Sequence, residues 1–205
     1  MSNKTYCTSN KTPLSGRFFY LIYFMKSLQK KYQIGIIGSA GNDNYSGAEG
    51  ASQDMMAEAE KIGCLLAQKN AIVVTGGKSG IMEAGAKGAK QANGQTVGII
   101  KGVTRFTSNA YTDIEVISGM EGDGLDELLL INMCDAVIVI GGGAGTLEEI
   151  AIAYRNKKPM VALTTQSGWG KNLANTFLDN RNIIKIVAAD SAEDAVKKTF
   201  QLLEQ

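Results

Sequence analysis

Three times in this chain a short, apolar, β-branched run ends in glycines and opens into a helical stretch. The fullest case is residues 137–149, VIVIGGGAGTLEE. Val137, Ile138, Val139 and Ile140 suit a strand buried on both faces. Gly141, Gly142, Gly143 and Gly145 follow, then Thr146 and the helix formers Leu147, Glu148 and Glu149. A strand that turns into a helix through glycines presents unpaired N–H groups at the positive end of the helix dipole. That is an anion site, and glycine lets the backbone come close to the anion. Glu149 falls about one turn into the helix, within reach of whatever a bound phosphate carries.

The other two units are Ile34–Ile37 before Gly38-Ser39-Ala40-Gly41, and Ala71–Val74 before Thr75-Gly76-Gly77-Lys78-Ser79-Gly80. Three such units suggest three turns on one edge of a parallel sheet, where α/β sheets bind their ligands. From residue 33 onward apolar runs alternate with helical patterns. Strands are expected near 34–38, 71–75, 96–100, 114–117, 136–140, 159–164 and 183–188. A first long helix is expected over about 48–69, with Met55, Ala59, Ile62 and Leu66 as its core stripe. Asp190 with Glu193 three residues on reads as a capping box opening the last helix, whose buried face is Val196, Thr199, Phe200 and Leu203. The expected fold is α/β: a Rossmann-like, doubly wound, mostly parallel sheet of about seven strands with helices on both faces. Leu125–Met133 is apolar almost all round, so that helix is buried in its own core or against another subunit.

Residues 1–32 do not share this pattern and are read as an N-terminal extension to a single domain of residues 33–205. The run Phe18–Met25 is too short to span a bilayer. It is followed by Lys26-Ser27-Leu28-Gln29-Lys30-Lys31 rather than by a small-residue cleavage site. Met25 is an alternative natural start.

Charge excludes as much as the motifs include. The formal net charge is +1, which gives no global case for nucleic acid or membrane. The chain has no histidine, so Ser-His-Asp, Cys-His and His-based zinc chemistry are excluded and no metal site is expected. Catalysis would have to use carboxylates, Lys, Arg, backbone dipoles or a cofactor. Cys7, Cys64 and Cys134 are too few for a disulfide framework, and the last two are read as reduced core thiols. Gly77-Lys78-Ser79 ends like a P-loop, but the first P-loop glycine would fall on Ile72, inside a strand. A dinucleotide fingerprint fails too, because Glu148 stands where its third glycine belongs.

Gly142-Gly143-Ala144-Gly145-Thr146-Leu147-Glu148-Glu149 resembles the GGxGTxxE signature of the "Lonely Guy" (LOG) superfamily. Gly76-Gly77-Lys78-Ser79-Gly80-Ile81-Met82-Glu83 looks like its second signature, and Gly38-Ser39 fits its first turn. The resemblance spans roughly residues 33–165. It is nearest to the subgroup of molybdenum cofactor carrier proteins, which often carry a lysine decarboxylase-like label. No lysine motif for pyridoxal phosphate supports that label here.

The resemblance implies a cytoplasmic, dimeric or larger protein that binds a small phosphorylated ligand, either an AMP-like nucleotide or the molybdenum cofactor. The binding residues it implies are Gly38, Ser39, Gly76, Gly77, Lys78, Gly80, Met82, Gly142, Gly143, Gly145 and Thr146. The hydrolase branch removes the base from nucleoside 5′-monophosphates with an arginine and the signature glutamate. Glu149 matches that glutamate and is the catalytic candidate. The arginine position is Asp126, beside Glu127, and the signature's leading proline is Gly141. A cation would have to come from Arg105, Arg155, Lys78 or Lys101. A carrier or sensor is therefore expected ahead of a phosphoribohydrolase.

Overall fold

The computed structural model describes residues 31–41, 50–122 and 124–205. The Phe18–Met25 run, Cys7 and the first positions of the expected long helix lie outside the described residues. Seven strands follow one another: β1 (Gln33–Gly38), β2 (Ile72–Thr75), β3 (Gln95–Ile100), β4 (Ile114–Ile117), β5 (Ala136–Ile140), β6 (Met160–Leu163) and β7 (Ile186–Ala189). They form one sheet in the order β4-β3-β2-β1-β5-β6-β7, and every pairing is parallel. β1 and β5 lie side by side in the middle, with Ile34 opposite Ala136 and Gly38 opposite Ile140. The chain winds outward from β1 in one direction and from β5 in the other. The crevice of such a sheet opens above the carboxyl ends of these two strands.

Helices cover both faces. On one side α1 (Gln53–Gln68), α2 (Ile81–Gln91) and α6 (Ala192–Leu203) bury Met55, Ile62, Leu66, Ile81 and Val196 against Ile34, Ile36, Val73 and Ile138. On the other side α3 (Leu125–Met133) and α4 (Ala144–Arg155) bury Leu130, Ile131, Ile150 and Tyr154 against Ile37, Val74, Val137 and Val139. Short α5 (Trp169–Leu173) adds Leu173 to that side. Each fully buried Ile or Leu contributes about 1.5–3 kcal/mol of transfer free energy. The central strands, covered on both faces, need no polar alternation, and β5 is buried at all five positions.

Four expectations need correction. The first helix begins at Gln53, because Ser52 caps it by accepting from the Met55 N–H at 3.2 Å. The last helix is capped by Ser191, which accepts from the Asp194 N–H at 3.2 Å, while Glu193 turns outward to Lys61. β7 is Ile186–Ala189, not 183–188. Ile183 and Ile184 pack against the α3/α4 side instead of pairing with β6. Cys64 is only half-buried, whereas Cys134 is fully buried and both are free.

Candidate functional site

β1 ends at Gly38, whose backbone runs so close to β5 that an added Cβ would lie on the Ile140 carbonyl oxygen. Its φ of +147° is outside the range comfortable for other residues. The next residue ties the two strands together. The Ser39 N–H donates to the Ile140 carbonyl at 3.1 Å, and the Ser39 hydroxyl accepts from the Gly142 N–H at 3.0 Å. Gly141 and Gly142 take φ of +66° and +102°, which turns the chain from β5 into α4 within three residues. Their carbonyls are held from a third side, by the Gly170 and Trp169 N–H groups at 3.0 Å each.

This bracing leaves the start of α4 pointing at open space. The N–H groups of Ala144, Gly145 and Thr146 are in the first turn, where the helix offers them no carbonyl. A Cβ added at Gly143 or Gly145 would meet nothing within 4 Å. Those two glycines therefore keep the approach to the helix end clear. Thr146 lies beneath Gly142, 5% exposed.

The turns open onto one cavity of about 860 Å³ at the carboxyl ends of β1 and β5. That volume is in the range of small-molecule sites. Of the residues expected to bind, Gly38, Ser39, Gly76, Lys78, Met82, Gly142, Gly143, Gly145 and Thr146 line it, as does Glu149. Gly77 and Gly80 do not. They are glycines because a Cβ at Gly77 would strike Ile100 and one at Gly80 would strike the Ala40–Gly41 backbone. The cavity also has walls that the glycine pattern missed: Met55 from α1 with the capping Ser52, Asp126 and Glu127 from α3, and Thr165–Gly168 with Lys171 after β6. The polar run Thr164-Thr165-Gln166-Ser167-Gly168 after a buried strand was the available signal, since every strand of a parallel sheet delivers its following loop to this edge.

The cavity carries two kinds of charge. Lys78 and Lys171 are its cationic side chains, and among the described residues no arginine lines it. Facing them are three carboxyls. Burial pushes Glu149 up to about 8, helped by the charges of Glu127, Asp126 and Glu148. Asp126 is raised to about 6 by burial and by its hydrogen bond to Glu127, with Lys78 opposing. The Glu127 carboxylate accepts from the Gly124 N–H at 2.8 Å, which closes the start of α3. With its pKa pushed up to about 8, the Glu149 carboxyl favours its neutral form near pH 7, in which it adds no negative charge to the site.

No helix among the described residues is long and apolar enough to cross a membrane. Nor does any group of three or more His, Cys, Asp or Glu placed to hold a metal ion occur among them. On α3, Leu130 and Ile131 are buried by the chain itself, while Leu128 is 40% exposed.

Known proteins share this architecture. An uncharacterised protein of Archaeoglobus fulgidus is 34% identical over 134 residues, which is 65% of this chain and 81% of that one. The molybdenum cofactor binding protein of Rippkaea orientalis superposes with a TM-score of 0.72 at 27% identity, covering 85% of this chain and 98% of the other. The molybdenum cofactor carrier protein of Chlamydomonas reinhardtii gives 0.71 at 26% identity, covering 86% and 100%. The SLOG cluster4 family model matches residues 31–196, from the start of the sheet into the last helix. With its all-parallel sheet and its LOG-like glycine turns gathered at one edge, the chain belongs to the SLOG cluster4 family.

Proposed function

We propose that this protein is a carrier or sensor that holds a nucleotide or a phosphate-bearing cofactor of the molybdenum cofactor type. The observation that carries the reading is the open N-terminus of α4, cleared by Gly143 and Gly145 and braced by Ser39. The phosphate sits against the N–H groups of Ala144, Gly145 and Thr146, with the Thr146 hydroxyl, Lys78 and Lys171 as further donors. These donors suit a phosphate, so the phosphate and not a metal is the handle this chain offers. A bound molybdenum cofactor would be cargo, and its own chemistry would take place elsewhere. The working form is a cytoplasmic homo-oligomer that covers Leu128 of α3, and light scattering at micromolar concentration tests this by finding a dimer or larger species.

Calorimetric titration with AMP and GMP tests the reading. The wild-type chain binds at least one of them, Thr146→Ala weakens binding about tenfold, and Gly143→Leu abolishes it with the fold intact. Absence of binding in the wild type, or binding that ignores both variants, contradicts the proposal.

One observation favours a second reading, N-glycosidic hydrolysis of a nucleoside 5′-monophosphate: Glu149 lines the cavity, and burial there pushes its pKa up to about 8. Against it, Asp126 stands where the family's arginine would. Losing a charge contact made in the transition state costs about 10²–10³ in rate. Base release from AMP or GMP is therefore expected at background, and Asp126→Arg raises it. Fast, Glu149-dependent release by the wild-type chain would favour the hydrolase.

A further inference from the structure

The two edges of the sheet are finished differently. At β7 the chain itself takes up the outward backbone groups. The Asn175 N–H donates to the Ile186 carbonyl at 2.7 Å, the Ile186 N–H to the Thr176 carbonyl at 3.0 Å, and the Ala188 N–H to the Asn175 side-chain oxygen at 3.2 Å. At β4 no such cover occurs among the described residues. The Ser118 N–H donates to the Ile100 carbonyl of β3 at 2.8 Å. Ile114 and Val116 therefore also turn their backbone groups inward, and Glu115 and Ile117 point theirs away from the sheet. Open edges are commonly blunted by Lys, Pro or an outward charge. β4 has no Lys or Pro, and its one charge is engaged elsewhere: the Glu115 carboxylate accepts the Phe106 and Ser108 N–H groups at 2.6 and 2.9 Å.

The surroundings of this edge are apolar. Val103, Phe106, Ile114 and Met120 all stand exposed there, Phe106 at 85%. Ile114 opens β4, Phe106 is tied to Glu115, and Val103 and Met120 flank the carboxyl end, where the Gly102 N–H donates to the Met120 carbonyl at 2.8 Å. Apolar side chains gathered in this way mark an interaction surface. The charges beside them point to its occupant. Arg105 stands over the Phe106 ring, at the level of Glu115, while the Glu121 carboxylate lies beside Gly102 at the carboxyl end. Neither has an ion-pair partner among the described residues. A cation toward one end of a strand and a carboxylate toward the other are complemented by the same edge running antiparallel.

We propose that β4 is a self-association edge, on which a second copy of this chain pairs its own β4 antiparallel across a twofold axis at Val116. The pleat sets the register. Residues opposite each other in an antiparallel pair share a face, so a twofold axis must pass through a residue and not between two. An axis at Glu115 would oppose two carboxylates. An axis at Val116 sets Val116 against Val116 of the second copy as a non-hydrogen-bonded pair. Glu115 and Ile117 then exchange their outward N–H and C=O groups with Ile117 and Glu115 of the second copy. Arg105 of each copy comes to face Glu121 of the other, and the two sheets join into one. This edge lies apart from α3, so it is a further face of the oligomer and does not depend on any ligand.

Disulfide crosslinking of the full chain tests it. Val116→Cys, oxidised with diamide at micromolar concentration, gives a covalent dimer on a non-reducing gel that dithiothreitol reverses, because the Cα atoms of such a pair lie about 4.5 Å apart. Ile114→Cys, at a more exposed position, gives about fivefold less, because the two copies of residue 114 are offset by about 13 Å along the strands. Glu121→Arg in the Val116→Cys chain sets two cations together at each end and lowers the yield about threefold, and adding Arg105→Glu restores it. Circular dichroism spectra matching the wild type show that these chains fold. A Val116→Cys yield no greater than that of Ile114→Cys or of the wild-type chain overturns the proposal, as does a yield indifferent to Glu121→Arg. A wild-type dimer in light scattering with no crosslink through Val116→Cys also overturns it, and leaves α3 as the face of the oligomer.

Discussion

The two ends of the β1/β5 strand pair use the same kinds of group for opposite purposes. At the amino end Asp135 precedes β5, and its carboxylate accepts the Gln33 N–H at 2.9 Å while its own N–H donates to the Gln33 carbonyl at 2.7 Å. The two residues satisfy each other's polar groups there, without a ligand. At the carboxyl end Asp126 keeps a buried oxygen without a partner among the described residues, Glu149 is pushed up to about 8, and the first N–H groups of α4 face a cavity. A carboxylate matched by backbone donors is architecture. A carboxylate left unmatched beside open N–H groups is what a binding site retains at the expense of stability. The difference locates the function better than any count of charges does.

The largest break in this comparison comes from the glycines that brace the open end. Gly38→Val forces a side chain onto the Ile140 carbonyl and should cost about 3 kcal/mol or more, with little folded protein at 37 °C by chemical denaturation. Gly143→Leu, three residues from Gly38's contact and in open space, should leave stability within about 0.5 kcal/mol while abolishing nucleotide binding. Equal damage from the two would mean that the turn at Gly143 is also structural.

Much of this distinction was not legible in the sequence. The strands could be placed to within a few residues because buried parallel strands are continuous apolar runs, and Val137–Ile140 is unmistakable as one. Ile183–Ile184 looked the same by that criterion but packs as a loop, since hydrophobicity reports burial and not pairing. Gly77 and Gly80 looked like Gly143 and Gly145 for a similar reason. A glycine demanded by Ile100 or by the Ala40–Gly41 backbone carries the same letter as one demanded by a ligand. Asp126 was visible only as a missing arginine. That it lines the cavity beside Glu127 and Glu149 depends on α3 packing across β1, β2 and β3, which no local pattern encodes.

Closing the other end less well has a smaller effect. Asp135→Ala leaves the Gln33 N–H without its side-chain acceptor and should cost about 1–3 kcal/mol, read from denaturation midpoints, with nucleotide affinity unchanged. A large loss of affinity would show that the two ends are coupled.

The carboxyl at the open end should behave in the opposite sense. Because its folded pKa is raised, Glu149 binds its proton more tightly in the folded than in the unfolded chain. Its contribution is fully favourable below about 4.5 and is lost as pH rises through about 8. Glu149→Gln should therefore stabilise the free protein at pH 8 by about 1–2 kcal/mol, a rise in Tm of roughly 2–8 °C. The gain should vanish by pH 5. In scanning calorimetry, a destabilised Glu149→Gln at pH 8 would mean that the carboxylate has a partner after all.

The smallest effect is on the ligand. Between pH 9 and pH 7 a phosphate monoester stays dianionic, its second pKa being about 6. Glu149 gains its proton across that interval, so the affinity for GMP should rise about three- to tenfold on going from pH 9 to pH 7. The rise should be absent in Glu149→Gln.

The most direct measurement is the response of individual amides. In a ¹H–¹⁵N correlation spectrum titrated with GMP, the account predicts the largest shifts at Ala144, Gly145 and Thr146, followed by Ser39 and Gly142, with the amides of Gln33 and Asp135 unmoved. Saturating shifts that leave the start of α4 untouched, or that centre on the amino end of β1 and β5, would contradict it.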